Sequence, residues 1–476
     1  MAPNALGRHV ALIGFMGAGK TTVGEALAAR LGRRFVDVDR EIERNTLVSI
    51  STLFAQRGEA KFRLAEQSAA VAALASAEPA VIALGGGALG AGPVRSALRE
   101  QAFAIHLEVE PDEAWRRVGG KRPLAQDEQR FVALHGERLP VYEEAADATA
   151  GDLDGATLAA AGIHAEAGVL GSLGALVPGE GSVELVADAR VTGLYGTRAQ
   201  VALGLRHGAS HEVPAGEAAK SIVVVERLWR ALRLDRQGTV VALGGGCTTD
   251  VAGFAAACYL RGIDWVAVPT TLVGQVDAAI GGKTGIDLAE GKNLVGAFHW
   301  PTAVVIDSTV LDTLPAAELQ NGMSEVVKAG LLAGEPFWEL PLPELVRRCA
   351  AFKAAVCLRD PHEHGERAML NLGHTFAHAL EAPGGYESVP HGRAVALGLL
   401  AALRLSGLDT AVVEEVLRPE PVHVDRERAW AALGRDKKSA DGAPRLVLLD
   451  APGRPRTGVE LPDADIRQAL DALIAG

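Results

Sequence analysis

The stretch "HVALIGFMGAGKTTVGEALAARL", residues 9–31, decides how the chain begins to fold. An apolar run typical of a buried strand leads into a glycine-rich loop, and an amphipathic helical pattern follows. Residues 14–21 match G-x-x-x-x-G-K-[ST] in full. Between a strand and a helix, the backbone N–H groups of such a loop can hold phosphates, while its lysine neutralises them and its threonine binds Mg²⁺. The predicted nucleotide site comprises Gly17, Gly19, Lys20, Thr21 and Thr22. An ATPase, a GTPase and a small-molecule kinase are all compatible with this motif.

Strand and helix signals continue to alternate beyond this loop. "RRFVDVD" (33–39) and "AVIALGGG" (80–87) read as further strands, which indicates parallel βαβ units. Asp37 and Asp39 occupy alternate positions of the first of these strands and would therefore share one face. Such a pair beside the loop can serve Mg²⁺ and a substrate hydroxyl, although a solvated strand end has the same sequence appearance.

Composition limits the classes of partner. A formal charge of −12 argues against nucleic acid and acidic membranes, because neither would be attracted to that field. No uncharged apolar run reaches the length of a membrane span, and the first apolar run enters the glycine loop as a buried strand would. The four cysteines form no C-x-x-C pair, which favours reduced thiols in a cytoplasmic protein. Small molecules are the expected partners.

The chain of 476 residues is too long for one ordinary domain. An Ala/Gly-rich stretch between about 147 and 182 marks a joint, and "VELVADARV", "TVVALGGGCTTD" and "DWVAVPTTL" begin a second series of strands. Long helical patterns follow after about 318, with a late strand in "PRLVLLDAPG". We expect an α/β protein with a P-loop domain at 1–155, a linker at 156–164, a Rossmann-like dinucleotide-binding domain at 165–315 and a mostly helical domain at 316–476.

Lysine is scarce, with 10 lysines against 37 arginines. A chain with this preference should keep lysine mainly where a compact ammonium is needed. Seven of the ten fall in motif-like surroundings, which chance retention does not favour. Such a set suits a small substrate with several negative charges, for instance a phosphate and a carboxylate.

A metal site is predicted near "NLGHTFAHAL" (371–380), where His374 and His378 lie one helical turn apart. The metalloprotease pattern HExxH is not met, because Thr375 replaces its glutamate. Another histidine, His391, and a glutamate, Glu325, lie elsewhere, and catalytic zinc commonly takes three protein ligands. Two histidines and a carboxylate could supply these, although histidines in Ala/Leu-rich helices are often packed in a core.

The motifs of the first half resemble shikimate kinase over about residues 8–148. They are "GFMGAGKTTVG", "FVDVDREIE", "GEAKFRLAE", "GGG" (85–87), "GGKRPL" and "ERLPVYEEAAD". The resemblance implies ATP with Mg²⁺, with Asp37 reaching the metal through water, Arg117 flanking the adenine and Arg122 on a lid steadying the transferred phosphoryl group. It also implies shikimate contacts from Asp39, which orients the 3-hydroxyl, and from Arg63, Gly86, Gly87 and Arg138.

The motifs of the second half resemble 3-dehydroquinate synthase from about residue 165 to the end. They include "GGGCTTDVAGFAAACYLRGIDWVAVPTTL", "VDAAIGGKTGIDLAEGKNLVGAFH", "NGMSEVVKAGLL", "LNLGHTFAHALEA", "HGRAVALG" and "DKKSADG". The resemblance implies Zn²⁺ or Co²⁺ on Glu325, His374 and His391, with His378 instead moving protons. It implies NAD contacts from Asp188, Glu217, Lys220, Gly245, Gly246, Asp250, Thr270 and Thr271. It implies substrate contacts from Arg261, Asp277, Lys283, Lys292, Asn293, Lys328, Lys353, Arg367, Asn371 and Lys437, with Lys283, Lys328 and Arg367 among the catalytic groups.

Together these resemblances imply a bifunctional shikimate-pathway enzyme. One half would phosphorylate shikimate, and the other would cyclise 3-deoxy-D-arabino-heptulosonate 7-phosphate to 3-dehydroquinate with release of phosphate and recycling of NAD. The alternative is a metal-dependent NAD alcohol dehydrogenase fused to a degenerate, non-catalytic nucleotide-binding module. A homodimer through the synthase half is implied by resemblance only.

Overall fold

The computed structural model describes residues 4–120, 124–382, 389–434 and 444–475. The chain divides into two compact units, residues 1–163 and 164–476. Both units are α/β and contain parallel sheets, which confirms the predicted fold class. Among the described residues, no helix combines the length and the apolar character needed to span a membrane.

The smaller unit is built on a five-stranded sheet in the order β2-β3-β1-β4-β5, with every neighbouring pair parallel. Its elements are β1 (His9–Ile13), α1 (Lys20–Arg30), β2 (Arg34–Asp37), α2 (Val38–Thr46), α3 (Ile50–Leu74), β3 (Ala80–Ala83), α4 (Gly92–Gln101), β4 (Ala102–Leu107), α5 (Pro111–Val118), α6 (Glu128–Ala145), β5 (Ala148–Ala150) and α7 (Leu153–Ala160). The central strand β1 is buried along its whole length. Because α1 begins directly after the glycine loop, the loop and the helix N-terminus lie at the carboxyl end of β1, as the sequence predicts.

The predicted extent of the second strand is wrong at its end. β2 stops at Asp37, whose side chain accepts hydrogen bonds from the backbone N–H groups of Asp39 and Arg40 and so caps α2. Aspartate is a favoured N-cap residue because its short carboxylate satisfies N–H groups that the first helical turn leaves unpaired. Asp39 therefore belongs to the first turn of α2, and the two carboxylates do not alternate along one strand.

The larger unit contains a six-stranded sheet in the order β6-β13-β10-β9-β7-β8. Its α/β part comprises β6 (Ile163–Ala165), α8 (Leu173–Leu176), β7 (Val183–Asp188), α9 (Ala189–Val191), α10 (Thr197–Leu203), β8 (His207–Val213), α11 (Ile222–Ala231), β9 (Thr239–Gly244), α12 (Gly246–Cys258), β10 (Asp264–Pro269), the hairpin β11 (Lys283–Leu288) and β12 (Gly291–Phe298), and β13 (Ala303–Ile306). The pairs joining β13, β10, β9, β7 and β8 are all parallel. The carboxyl ends of β7, β9 and β10 consequently lie along one edge of this sheet.

The rest of the larger unit is mostly helical, and the expected late strand is β14. The elements are α13 (Ala316–Ala333), α14 (Leu342–Arg359), α15 (His374–Glu381), α16 (His391–Leu405), α17 (Arg426–Leu433), the hairpin β14 (Leu446–Ala451) and β15 (Arg454–Val459), and α18 (Asp463–Asp471). Val327 of α13, Phe376 of α15 and Leu399 of α16 belong to one buried core. The helices α13, α15 and α16 therefore pack on one shared core.

Residues 156–164, where we expected a linker, have regular structure. Asp152 caps α7 by accepting from the backbone N–H of Gly155, and residues 156–160 of that helix are buried. β6 then begins at Ile163. The boundary between the two units falls within the expected stretch, but its alanine-rich composition forms a short helix, since alanine is the best helix former.

Candidate active sites

The phosphate loop of the smaller unit has the shape that its motif predicts. Lys20 Nζ donates to the carbonyl oxygens of Gly14 and Phe15 at 2.8 and 2.9 Å. Gly14 requires the absence of a side chain, since its φ is +139° and a Cβ would lie 2.6 Å from the Leu107 carbonyl oxygen. Thr21 Oγ1 donates to Asp37 Oδ2 at 2.7 Å. The predicted Mg²⁺ residues therefore lie beside the loop.

A second polar cluster lies at the carboxyl end of β3, where residues 85–87 form a glycine turn. Arg138 Nη1 and the Tyr142 hydroxyl both donate to the Gly86 carbonyl oxygen, at 3.1 and 2.5 Å. A Cβ on Gly87 would lie 2.1 Å from Arg63 Nη1, so this guanidinium packs directly on the glycine and any larger residue would displace it. The structure thus brings together Arg63, Gly86, Gly87 and Arg138, which the sequence placed far apart. Asp39 joins them, because a Cβ on Gly85 would lie 3.3 Å from its Oδ1.

Glu66 is a member of this cluster that sequence reasoning missed. Its carboxylate is 2% exposed and accepts from Arg63 Nη1 at 2.6 Å. Burial raises the pKa of Glu66, and the charge of Arg63 only partly offsets that effect. The signal was available, because Glu66 follows Arg63 by three residues within α3, and residues at that spacing are neighbours on a helix. This polar cluster therefore pairs a buried carboxylate with arginines, which is suited to binding a small polyhydroxylated acid.

Arg117 lies beside the phosphate loop, where its Nη1 donates to the Gly17 carbonyl oxygen at 2.8 Å. This placement is compatible with the predicted contact to an adenine. Arg122, the predicted lid arginine, lies outside the described residues, as does Lys437 of the larger unit.

In the larger unit, the predicted dinucleotide residues lie at the sheet edge formed by β7, β9 and β10. Gly245 precedes α12, and a Cβ there would lie 3.0 Å from Thr271 Cγ2. Thr270 follows β10 directly and donates its backbone N–H to the Gly244 carbonyl oxygen. Asp188, at the end of β7, accepts from the backbone N–H of Val191 at 3.0 Å. In parallel α/β sheets this edge is where dinucleotides bind, with the pyrophosphate at a helix N-terminus.

Charged side chains beside that edge form pairs. Lys220 Nζ donates to Asp250 Oδ2 at 2.6 Å and also to the Asn293 side chain. Lys292 Nζ lies 2.9 Å from Glu217 Oε1. Burial lowers the pKa of Lys220, but the charge and hydrogen bond of Asp250, together with Cys247 and Glu217, more than reverse this and raise it overall. Apart from Cys247, all of these are predicted cofactor or substrate residues, and the structure places them together.

A series of four charged side chains that alternate in sign lies beside α13. Its members are Glu325, Lys328, Asp277 and Lys353. Lys328 forms an ion pair with Glu325 one helical turn away, and its Nζ lies 3.7 Å from Asp277 Oδ1. Lys353 Nζ donates to the same Asp277 oxygen at 2.7 Å. Glu325 and Lys328 are 1% and 3% exposed. A buried charge requires such partners, because its transfer from water is costly.

Glu325, His374 and His391 converge at one end of this charge series. One ligand atom from each lies within 4.8 Å of the others. The Nε2 atoms of His374 and His391 lie 3.5 and 3.4 Å from Glu325 Oε1. Both Glu325 oxygens are buried, and neither has a hydrogen bond of good geometry within the described part of the chain. Two imidazole nitrogens and a buried carboxylate are the donor set of a catalytic zinc site, so these residues fit a divalent cation.

The contacts within the triad of Glu325, His374 and His391 determine which of these side chains carries a proton. Burial would raise the pKa of Glu325, but Lys328 and His374 hold it well below its usual range. Burial would lower the pKa of His391, but its close contacts with the carboxylates of Glu325 and Glu381 raise it to about 10. The metal-free triad is therefore a carboxylate facing a protonated imidazole, and a bound cation would replace that proton.

The remaining predicted substrate residues lie on a neighbouring loop and hairpin. Lys283 Nζ donates to Glu363 Oε2 at 2.7 Å, and Asn371 Nδ2 donates to Glu363 Oε1 at 3.2 Å. Arg367 is 1% exposed, and Gly281 packs so closely on it that a Cβ would lie 2.6 Å from Nη2. Sequence reasoning missed Glu363, although it precedes Arg367 by four residues in a polar segment.

Two predicted residues have less support from the structure. His378 is exposed on α15, and its ring centroid lies 5.7 Å from that of His374. Arg261 lies in an exposed turn with a φ of +70°, at the amino end of β10, whereas Thr270 lies at its carboxyl end. Their roles stay predictions, and the proposed division of labour between His374 and His378 agrees with their difference in burial.

Family models match both units. The shikimate kinase family model matches residues 16–161. Models for the N-terminal and C-terminal parts of 3-dehydroquinate synthase match residues 210–321 and 322–438.

Curated relatives agree for the larger unit. The chain is 40% identical over 345 residues to 3-dehydroquinate synthase of Bordetella pertussis, covering 65% of this chain and 95% of that protein. It is 43% identical over 352 residues to 3-dehydroquinate synthase of Symbiobacterium thermophilum, covering 65% of this chain and 97% of that protein.

Solved structures resemble the same part of the chain. A 2-deoxy-scyllo-inosose synthase with carbaglucose-6-phosphate, NAD⁺ and Co²⁺ matches with a TM-score of 0.59 and 25% identity, covering 65% of this chain and 96% of that one. The 2-epi-5-epi-valiolone synthase of Streptomyces hygroscopicus subsp. jinggangensis, with NAD⁺ and Zn²⁺, matches with a TM-score of 0.58 and 26% identity, with the same coverage. The chain belongs to the 3-dehydroquinate synthase family through its larger unit, and its smaller unit matches the shikimate kinase family model.

Proposed function

We propose that this chain catalyses two reactions of the shikimate pathway. The smaller unit transfers the γ-phosphoryl group of ATP to the 3-hydroxyl of shikimate, giving shikimate 3-phosphate and ADP. The larger unit converts 3-deoxy-D-arabino-heptulosonate 7-phosphate to 3-dehydroquinate and inorganic phosphate. Its cofactors are NAD and Zn²⁺ or Co²⁺, and those of the kinase are ATP and Mg²⁺.

The convergence of Glu325, His374 and His391 beside the dinucleotide edge is the observation that carries the synthase proposal. When bound, the metal and NAD supply Lewis-acid and reversible hydride chemistry. The chain's own contribution is to hold a doubly anionic substrate against them. Lys283, Arg367, Lys328 and Lys353 would provide the positive charge for this. Lys437 or Lys438 would add to this set by closing over the substrate.

The kinase proposal is supported by the two adjacent clusters of the smaller unit. Phosphoryl transfer depends mainly on positioning and on neutralisation of charge, so it needs no strong base. Lys20 and Thr21 would hold the phosphates and Mg²⁺, and Arg117 would flank the adenine. Arg63 and Arg138 would bind the shikimate carboxylate while Asp39 orients the hydroxyl. Arg122 would steady the transferred group.

The alternative of a dehydrogenase fused to a non-catalytic module is not favoured. The family models and relatives match the synthase and the kinase. A dehydrogenase would also accumulate NADH and would have little use for the four lysines around its site. Absorbance at 340 nm therefore separates the two: the synthase releases phosphate without net NADH.

A paired assay on the full-length chain tests both activities. One arm measures shikimate 3-phosphate formed from shikimate and ATP, and the other measures 3-dehydroquinate formed with catalytic NAD and Zn²⁺. K20A should abolish the first activity and leave the second, whereas H374A should do the reverse. Each variant thus carries its own folding control in the unaffected unit. Loss of both activities in either variant, or sustained NADH production by the wild type, would contradict the proposal.

We also propose a homodimer through the larger unit and a cytoplasmic location. Exposed apolar side chains on α10 and α11, among them Val201, Ile222 and Val223, flank the edge strand β8 and support self-association there. The four cysteines are free, which suits a reducing compartment. Sedimentation of wild type and V201E would test the dimer, and an unchanged mass for V201E would argue against this face.

A further inference from the structure

Glu381 is a buried carboxylate that the predicted site does not include. It ends α15 and follows His374 by seven residues, so the two lie two turns apart on one face of the helix. It is 1% exposed, and its Oε2 has no hydrogen-bond partner in the part of the chain that the structure describes. Burying a carboxylate costs free energy unless hydrogen bonds or an opposite charge compensate for it. The burial of Glu381 therefore indicates a specific partner.

The compensation comes from His391. Glu381 Oε1 lies 3.2 Å from His391 Nδ1, while the other ring nitrogen, Nε2, faces Glu325 at 3.4 Å. The two nitrogens of one imidazole therefore face two different carboxylates. If Nδ1–H donates to Glu381, the lone pair of Nε2 is left for a metal.

His374 has the same arrangement with a backbone acceptor. Its Nδ1 lies 3.2 Å from the Leu372 carbonyl oxygen, and its Nε2 faces Glu325. Both histidines thus have Nδ1 held by an acceptor and Nε2 directed to the same point. For His391 that acceptor is a side chain, which mutation can change.

Glu381 also connects this histidine to the dinucleotide side of the unit. Lys292 Nζ lies 3.8 Å from the same Oε1 and 2.9 Å from Glu217 Oε1. Its positive charge offsets the buried carboxylate while leaving the hydrogen bond to His391 in place. The geometry therefore links a proposed metal ligand to a lysine of the β12 strand.

We propose that Glu381 is a positioning residue, which fixes the tautomer and the orientation of His391 and so strengthens metal binding. The proposal rests on the metal site proposed above. Partners that accept from a ligand's second nitrogen raise its basicity, and their loss typically weakens metal binding by roughly 10- to 100-fold.

The test measures Zn²⁺ affinity of the metal-free full-length chain by competition with a chromogenic chelator. E381Q keeps the size of the side chain but removes its charge, and it should weaken Zn²⁺ binding by roughly 10- to 100-fold. E381D keeps a carboxylate and should lie closer to the wild type. E427Q, at an exposed glutamate of the same unit, is the matched control and should not differ from the wild type.

A double-mutant cycle separates positioning through His391 from a general packing role. In the H391A background, E381Q should cause no further loss of affinity, because the group it acts through is gone. Equal losses in both backgrounds would overturn the proposal, as would an E381Q affinity within threefold of the wild type. A wild-type chain that binds no stoichiometric Zn²⁺ would instead refute the metal site itself. The absorption bands of bound Co²⁺ give a second readout, which should shift in E381Q.

Discussion

Replacing Lys328 by methionine removes the inner positive charge of the series Glu325, Lys328, Asp277 and Lys353. Methionine keeps a similar length of side chain, so the change is mainly one of charge. Lys328 Nζ lies 3.7 Å from Asp277 and in closer contact with Glu325. At an effective dielectric constant of about 20, an opposite charge at 3.7 Å contributes about 4 kcal/mol of attraction. Part of this is offset by the cost of burying the ammonium.

We therefore expect K328M to lower the free energy of unfolding of the metal-free larger unit by about 3–5 kcal/mol, the usual result of removing one partner of a buried pair. Glu325 would then be a buried carboxylate facing two histidines, so Zn²⁺ should bind at least as tightly as in the wild type. Synthase activity should fall, because Lys328 is a proposed substrate contact.

Urea titration followed by tryptophan fluorescence measures the stability, since five of the six tryptophans lie beyond residue 164. R404M is the matched control: Arg404 pairs with Glu414 at 3.6 Å, and both side chains are about half exposed. An exposed pair contributes under about 1 kcal/mol. The reasoning fails if metal-free K328M is as stable as R404M, or if K328M binds Zn²⁺ more weakly than the wild type.

Three further substitutions test other parts of the molecule. G87A would place a Cβ 2.1 Å from Arg63 Nη1, so the KM for shikimate should rise by about tenfold or more while the KM for ATP is unchanged. G281A combines a φ of +92° with a contact 2.6 Å from Arg367 Nη2, and should destabilise the larger unit by roughly 1–3 kcal/mol and lower synthase activity. D307N should destabilise the larger unit at pH 7 by about 2 kcal/mol, since a buried acceptor of several hydrogen bonds is lost.

The pH dependence of D307N has a definite sign. Burial would raise the pKa of Asp307, but hydrogen bonds from Thr309 and from backbone N–H groups lower it below 3.8. A carboxylate with a depressed folded pKa contributes stability above its unfolded pKa and loses it as the pH falls. The difference in melting temperature between wild type and D307N should therefore be full at pH 7 and shrink below about pH 3.8. A difference that grows in acid would contradict this assignment.

Controls for the glycine substitutions come from positions with open space. A Cβ on Gly90 or Gly193 would meet nothing within 4 Å, and neither has a positive φ. G90A should leave the kinase kinetics unchanged, and G193A should leave the synthase stable. If G90A raised the KM for shikimate as much as G87A, a steric effect on Arg63 would not be the cause.

The sequence by itself determined the features that depend on neighbours along the chain. The phosphate loop is contiguous, so its glycines, Lys20 and Thr21 could be assigned from the order of residues alone. The alternation of apolar runs and helical patterns likewise identified both sheets. The scarcity of lysine also indicated a binding site for an anionic substrate, because a compact ammonium is retained where arginine does not fit.

Only the tertiary structure decided which distant side chains meet. The packing of α13, α15 and α16 on one core brings Glu325, His374 and His391 together, and no local pattern specifies that distance. Helix capping by Asp37, which moved Asp39 out of the strand, depends on where the strand leaves the sheet. The spacing of Glu66 from Arg63 could have shown that the two are neighbours on a helix, but no sequence pattern shows that Glu66 or Glu381 is buried. The environment of each glutamate is set by the side chains that the fold packs against it. Those side chains give the carboxylate its charge partners and its chemistry.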